Sequence, residues 1–152
     1  MKVGDLCRRQ VVSVSAAAPL SAAAQLMCEQ RVGAVIVTAA PAEGPIAVGV
    51  LTDRDIVRAQ LGGTAALSEI RIADVMTREP LVLTEDEPLD EAVRRMRARG
   101  VRRAPVVSVG GALTGVISFD DVLAHICANL AALGGLTGRQ SRRQDDLMTY
   151  QI

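Results

Sequence analysis

Apolar positions along this chain form short β-branched runs that alternate with helical stripes, and the whole alternation occurs twice. Val11-Val12-Ser13-Val14 and Leu81-Val82-Leu83-Thr84 predict a first strand in each half. Each is followed by a small or polar stretch and then by Pro19 or Pro88, a residue suited to the opening of a helix. After Pro88, apolar residues recur at helical spacing through Leu89, Ala92, Val93 and Met96, which predicts a helix with one buried stripe. Its start is acidic (Glu85, Asp86, Glu87, Asp90, Glu91) and its end basic (Arg94, Arg95, Arg97, Arg99), the order a helix dipole favours. That charge run reads as a solvated face. The runs Val32 to Thr38 and Ala47 to Leu51 flank a loop containing Pro41, Gly44 and Pro45. Their counterparts, Ala104 to Ser108 and Leu113 to Ile117, flank a tight Gly110-Gly111 turn and read as a hairpin. A closing helix carries Val122, Leu123, Ile126, Cys127, Leu130 and Leu133 and is expected to end near Gly134-Gly135.

The two halves are copies. Asp74 to Val107 aligns with Asp5 to Thr38 at a constant offset of 69, with identities that include Asp5/Asp74, Arg9/Arg78, Pro19/Pro88, Leu20/Leu89, Ala23/Ala92 and Met27/Met96. Beyond the loop the offset becomes 66, so Gly49-Val50-Leu51-Thr52-Asp53-Arg54-Asp55 falls on Gly115-Val116-Ile117-Ser118-Phe119-Asp120-Asp121. Two long copies predict one pseudo-symmetric α/β (α+β) domain, each repeat running β-α-β-β-α, with a shared core in place of an open solenoid. The expected boundaries are a first repeat at 1–62, a linking segment at 63–75 with a helix around Ala65 to Val75, and a second repeat at 76–134. The polar tail, 135–152, is expected to be mobile or to contact a partner.

Composition narrows the function classes. A chain of 152 residues with 49% hydrophobic content can bury a real core. Seventeen basic residues balance seventeen acidic ones, so the protein as a whole is not drawn to nucleic acid or to an anionic membrane. One Tyr, one Phe and no Trp leave no base-stacking platform. No apolar run reaches the roughly 18 residues a membrane span needs, and the N-terminus lacks a signal peptide's organisation, so a cytoplasmic protein is expected. Cys7, Cys28 and Cys127 form no CxxC pair and read as reduced packing residues. His125 has no ligating neighbour in sequence, and no metal site is predicted. There is no Ser/His/Asp set, Cys/His dyad or glycine-rich phosphate loop, so the chain is not expected to be an enzyme.

One constellation remains that could carry chemistry. Thr52-x-x-Asp55 and Ser118-x-x-Asp121 each end a strand and open a helix. The plain reading is a capping box, in which hydroxyl and carboxylate satisfy the helix's first N–H groups. The alternative is a nucleotide site. A helix N-terminus beside a strand end suits an anion, a hydroxyl can meet a phosphate, and a carboxylate can accept from ribose hydroxyls.

These motifs occur in order with Asp74-Val75-Met76 and Val101-Arg102-Arg103-Ala104-Pro105-Val106-Val107, and in that combination the chain resembles a tandem pair of CBS domains, the Bateman module, over about residues 3 to 133. The resemblance implies two inter-repeat clefts that, in many members, take adenosine compounds such as AMP, ADP, ATP, S-adenosylmethionine or a cyclic dinucleotide. It implies that Thr52 and Ser118 face phosphate or ribose, that Asp55 and Asp121 hold ribose hydroxyls, and that adenine lies near Val12 and Leu83. Arg102 and Arg103 match the family's phosphate-contacting position, where the first copy has Gly33 and Ala34, so the two clefts are expected to be inequivalent. Arg54 is either a charge for the first cleft or an exposed first-turn side chain. No cofactor is required. The resemblance further implies a stand-alone regulator that forms a homodimer and acts on an unidentified protein in trans; a scaffold with empty clefts is the competing expectation.

Overall fold

A computed structural model of the chain describes residues 1–39 and 45–148, with side chains described through residue 134. The loop with Pro41 and Gly44, and the last residues of the polar tail, 149–152, lie outside the described residues. By its internal contacts the chain divides into Met1–Ser118 and a second unit beginning at Phe119.

The first unit holds both sheets. In the first repeat, α1 (Val3–Leu6) precedes β1 (Ser13–Ser15), α2 (Leu20–Gln30), β2 (Ala34–Ala39), β3 (Ile46–Thr52) and α3 (Asp53–Leu61). In the second, α4 (Ile72–Val75) precedes β4 (Thr77–Arg78), β5 (Leu83–Thr84), α5 (Leu89–Arg99), β6 (Arg103–Val107) and β7 (Leu113–Ser118). The sheet orders are β1-β2-β3-β4 and β5-β6-β7. In each, the first and second strands are parallel across the helix and the second and third form a hairpin. The predicted strand, helix, strand, strand succession is therefore present in both halves.

The halves also exchange their leading segments. β4, from the second repeat, is the edge strand of the first sheet, pairing Gly49 with Arg78 and Val50 with Thr77. Its counterpart Arg8 donates to and accepts from Val116 across the second sheet, at 2.8 and 3.0 Å. Both crossings need glycine. A Cβ on Gly49 would lie 2.6 Å from Met76 Sδ and 2.9 Å from the Thr77 carbonyl, and one on Gly115 would lie 2.8 Å from Cys7 Sγ and 3.0 Å from the Arg8 carbonyl. The glycine that opens each Gly-x-x-(Thr/Ser)-x-x-Asp motif thus serves the exchange.

The same exchange caps the helices. Pro19 and Pro88, the residues before α2 and α5, offer no side-chain cap. The Leu20 N–H instead donates to the Ile70 carbonyl at 2.8 Å, Ser21 to Leu67 at 3.1 Å, and Leu89 to Met1 at 3.1 Å. The linking helix expected over Ala65 to Val75 is therefore corrected: only Ile72–Val75 is helical. Its upstream carbonyls are spent on the orphan donors of α2, and a continuous helix would have used them internally.

The first core gathers Leu20, Ala23, Met27, Val35, Val37 and Leu51 with Ile72 from the other half. At the matching positions Ala92, Met96, Ala104, Val106, Ile117 and Val3 are buried. Each fully buried Leu or Ile there contributes about 2 kcal/mol relative to exposure. No polar side chain is buried among the described residues.

The second unit is one helix, α6 (Phe119–Met148). The expected stop near Gly134-Gly135 is corrected, as the helix runs on through both. An interior glycine costs only about 1 kcal/mol relative to Ala, and the following Leu, Arg and Gln residues are good helix formers. Among the described residues no helix is long and apolar enough to cross a membrane.

Candidate functional site

A cavity of about 370 Å³ opens where the exchanged strand meets the two repeats. Ala34, Val50 and Thr52 line it from the first sheet, Thr77, Arg78, Glu79, Pro80 and Leu81 from the exchanged segment, and Arg99, Val101, Arg102 and Arg103 from the second repeat. Four guanidinium groups thus face one carboxylate, around a floor of aliphatic side chains. Positive potential in a cleft with low-dielectric walls favours an anionic ligand, and guanidinium groups match phosphate in charge and geometry.

The end of β3 positions Thr52. Its hydroxyl and its backbone N–H both meet Asp55 Oδ2, at 2.6 and 2.9 Å, and the hydroxyl accepts from the Asp55 N–H at 3.3 Å. The capping box is therefore formed in full. Asp55 is mostly buried, with Arg58 Nη1 3.9 Å from its Oδ1, and it does not line the cavity. Its carboxylate fixes the Thr52 hydroxyl at the cavity wall.

The structure brings Thr52, Arg102 and Arg103 together and leaves other expected site residues elsewhere. Arg54 is exposed on the first turn of α3, away from the cavity. Val12 packs against the first core cluster. Leu83 is wholly buried in β5, paired with Val106, and does not line the cavity. Leu81, which the repeat offset of 69 matches to Val12, does line it. Leu83 instead matches Val14, one alternation deeper into the core. Ser118 ends β7 opposite Arg103 and is not a lining residue. Asp121 sits in the first turn of α6, in the second unit. Sequence reasoning missed Arg78, Glu79 and Arg99. Arg78 carried a signal, its identity with Arg9 across the repeat; Arg99 was absorbed into the charged end of a solvated helix.

The repeat makes the cavity's asymmetry explicit. The positions equivalent to Arg99, Arg102 and Arg103 hold Gln30, Gly33 and Ala34. A Cβ on Gly33 would come within 3.3 Å of Asp53 Oδ2, so an acid occupies the neighbourhood of the missing cation. Arg102 and Arg103 share this cavity with Thr52 of the other repeat.

Similarity to known proteins follows the same outline. A protein of Methanopyrus kandleri, MK0525, is 29% identical over 81% of this chain and 61% of its own length. The CBS domain-containing protein YhcV of Bacillus subtilis is 30% identical over 89% of this chain and 92% of its own length. A homoserine O-acetyltransferase of Methanococcoides burtonii is 29% identical, but the chain spans only 23% of it. Among solved structures, the CBS domain protein PAE2072 from Pyrobaculum aerophilum, complexed with AMP, superposes with a TM-score of 0.68 at 26% identity, covering 80% of this chain and 89% of that one. A hexameric CBS-CP12 protein from bloom-forming cyanobacteria gives 0.66 at 25% identity, over 81% of this chain and 69% of that one. The CBS domain pair of MJ0100, in complex with 5′-methylthioadenosine and S-adenosylmethionine, shares the fold with a TM-score of 0.71 at 20% identity, over 85% of this chain and 98% of that one. The sequence pattern of the CBS domain matches residues 3–62 and again 72–128, and with both repeats accounted for the chain belongs to the CBS domain family.

Proposed function

We propose that the chain is a regulatory sensor that binds an adenosine nucleotide in the cavity between Thr52 and the Arg102-Arg103 pair and passes the bound state to a partner protein in trans. The observation that carries this reading is the meeting, at one aliphatic-floored cavity, of a positioned hydroxyl with four arginines. PAE2072, 26% identical, was solved with AMP, which supports the same ligand class here. In this reading Arg102 and Arg103 hold phosphate, Thr52 meets phosphate or ribose, and Pro80, Leu81 and Val101 pack against the base. Asp55 acts through Thr52. Ser118, the counterpart of Thr52 in the other repeat, belongs to a second, weaker cleft. The chain works in the cytoplasm as a homodimer and catalyses no reaction.

The exposed apolar stripe of α6 supports self-association. Phe119, Leu123, Ile126, Leu130 and Leu133 are each at least 46% exposed and follow one another at alternating spacings of four and three, the spacing of a helix–helix seam. The hexameric CBS-CP12 relative gives a precedent for assembly in this family.

Binding must stabilise the folded state by mass action, by about 2.7 kcal/mol at a hundredfold excess over Kd. A thermal-shift series with AMP, ADP, ATP, NAD, S-adenosylmethionine and cyclic dinucleotides is expected to show a saturable rise for at least one adenosine compound. Silence across the series would leave a scaffold with empty clefts as the better reading.

A further inference from the structure

On that reading of the cavity, we propose that Glu79 is the residue that recognises the ligand's sugar, its carboxylate accepting from the two hydroxyls of a ribose, so that the site selects ribonucleotides over their deoxy forms. Among the described residues two that are not glycine have a positive φ, Glu79 at 52° and Arg31 at 53°. Arg31 has a local reason. It ends α2 in the left-handed conformation with its N–H donating to the Cys28 and Met27 carbonyls, as its counterpart Gly100 does at the end of α5 with those of Arg97 and Met96.

Glu79 has no such reason. It follows β4 and ends no helix, and it precedes Pro80, a neighbour that pushes a residue toward extended conformations. Its repeat counterpart Gln10, which precedes Val11, keeps a negative φ. The left-handed turn is therefore particular to the cavity side. It is held from both flanks, because Arg78 is paired with Gly49 in the first sheet and Leu81 is buried. Backbone kept in a sparsely populated region by its surroundings is a mark of ligand clamps. What the turn delivers here is an exposed carboxylate at the cavity wall, with no hydrogen bond or ion pair to another described residue.

Along the exchanged segment the lining residues run Arg78, Glu79, Pro80, Leu81: a cation, a carboxylate, then two apolar side chains. With phosphate at the guanidinium end and the base against Pro80 and Leu81, the carboxylate falls at the sugar between them. A carboxylate only accepts, and the neighbouring hydroxyls of a ribose bring two donors, one for each oxygen, the match that acids make in dinucleotide folds. The adenine edge suits it less, since the amino donor stands beside the N1 acceptor, which a carboxylate repels. Asp55, to which the resemblance assigns the sugar, has its Oδ2 occupied by the Thr52 hydroxyl and N–H and stands outside the lining.

The test is titration calorimetry of the full chain with AMP, ATP and their 2′-deoxy and 3′-deoxy forms, on the wild type, Glu79→Gln and Asp55→Asn. Glutamine keeps the size of this exposed side chain, so Glu79→Gln should melt within a few degrees of the wild type when no ligand is present. In the wild type a ribonucleotide is expected to bind about tenfold tighter than either of its deoxy forms, the size of one charge-assisted hydrogen bond. In Glu79→Gln that ratio should fall below about threefold. The ribonucleotide should weaken while the deoxy forms bind as tightly or more so, because an acid has been taken from beside the phosphate. Asp55→Asn should keep the wild-type ratio, whatever it does to overall affinity through Thr52. A ratio near one in the wild type, or one that survives in Glu79→Gln, would overturn the proposal while leaving the nucleotide site in place. A ratio that collapses in Asp55→Asn would give the sugar to Asp55 and overturn it as well. No binding by any compound would remove the nucleotide reading and the proposal with it.

Discussion

Alanine at Gly49 puts the exchange of edge strands under direct strain. Its Cβ would sit 2.6 Å from Met76 Sδ and 2.9 Å from the Thr77 carbonyl. The methionine tail can swing aside, but the carbonyl belongs to the ladder that ties β4 to β3 and can yield only if the strands separate. Overpacking of this kind costs about 1–3 kcal/mol. With backbone as the obstacle, about 2 kcal/mol is expected, and at about 2–4 °C per kcal/mol for a chain of this size Tm falls by about 4–8 °C. Gly63→Ala is the internal control, because nothing lies closer than 3.9 Å to its Cβ. Removing backbone freedom from the unfolded chain there should leave stability unchanged or raise it by up to about 1 kcal/mol. Urea unfolding and thermal melts of the two variants measure the difference. Thr77 and Arg78 line the cavity, so Gly49→Ala should also weaken nucleotide binding where Gly63→Ala does not. Equal stability of the two variants would refute the exchange as the reason for this glycine.

Asp55→Ala should cost about 1 kcal/mol in urea unfolding, the value of a lost cap, and should weaken nucleotide binding no more than Thr52→Ala does; a larger loss would put Asp55 on the ligand itself. The hydrogen bond from Arg9 holds the Glu85 carboxyl below its ordinary value of 4.5. A carboxyl lowered in the folded state contributes stability above that ordinary value and loses it as pH falls through the folded value. The stability gap between wild type and Arg9→Gln should therefore be present at neutral pH and shrink below about pH 4.5, and a gap that widens in acid would contradict the pairing. Burial pushes the Cys7 thiol above its ordinary value, while Cys28 and Cys127 are exposed, so a disulfide-exchange reagent at mildly alkaline pH should label Cys28 and Cys127 first and Cys7 last. Leu123→Asp or Ile126→Asp should shift the sedimenting species toward monomer with the repeats still folded; an unchanged assembly would remove α6 from the interface.

What was legible in the sequence was what local pattern controls. The run Leu89, Ala92, Val93 and Met96 placed α5, Gly110-Gly111 placed the second hairpin, and the offset of 69 placed their counterparts. Illegible was whatever depends on partners far along the chain. Leu67 and Ile70 sit in a segment with ordinary helical composition, yet they are held out of a helix because Leu20 and Ser21 need their carbonyls. Thr77 and Arg78 carry no strand pattern and become one by pairing with Gly49 and Val50. The site was half-readable for the same reason. Thr52, Arg102 and Arg103 announced themselves by motif, whereas Arg78 and Arg99 become lining residues only once the exchange folds them beside the other repeat. Leu81 and Leu83 stand one strand alternation apart, and a short apolar run with no polar punctuation does not resolve which of the two lines the cavity.

The most direct test of the account is a stoichiometric titration of ATP into the full chain, compared with the double variant Arg102→Gln, Arg103→Gln. The expected result is one tight nucleotide per chain in the wild type, lost in the double variant while its melting temperature without nucleotide stays within a few degrees of the wild type's. Two equally tight nucleotides per chain, or a single one that survives the loss of both arginines, would contradict the assignment of this cavity as the sensing site.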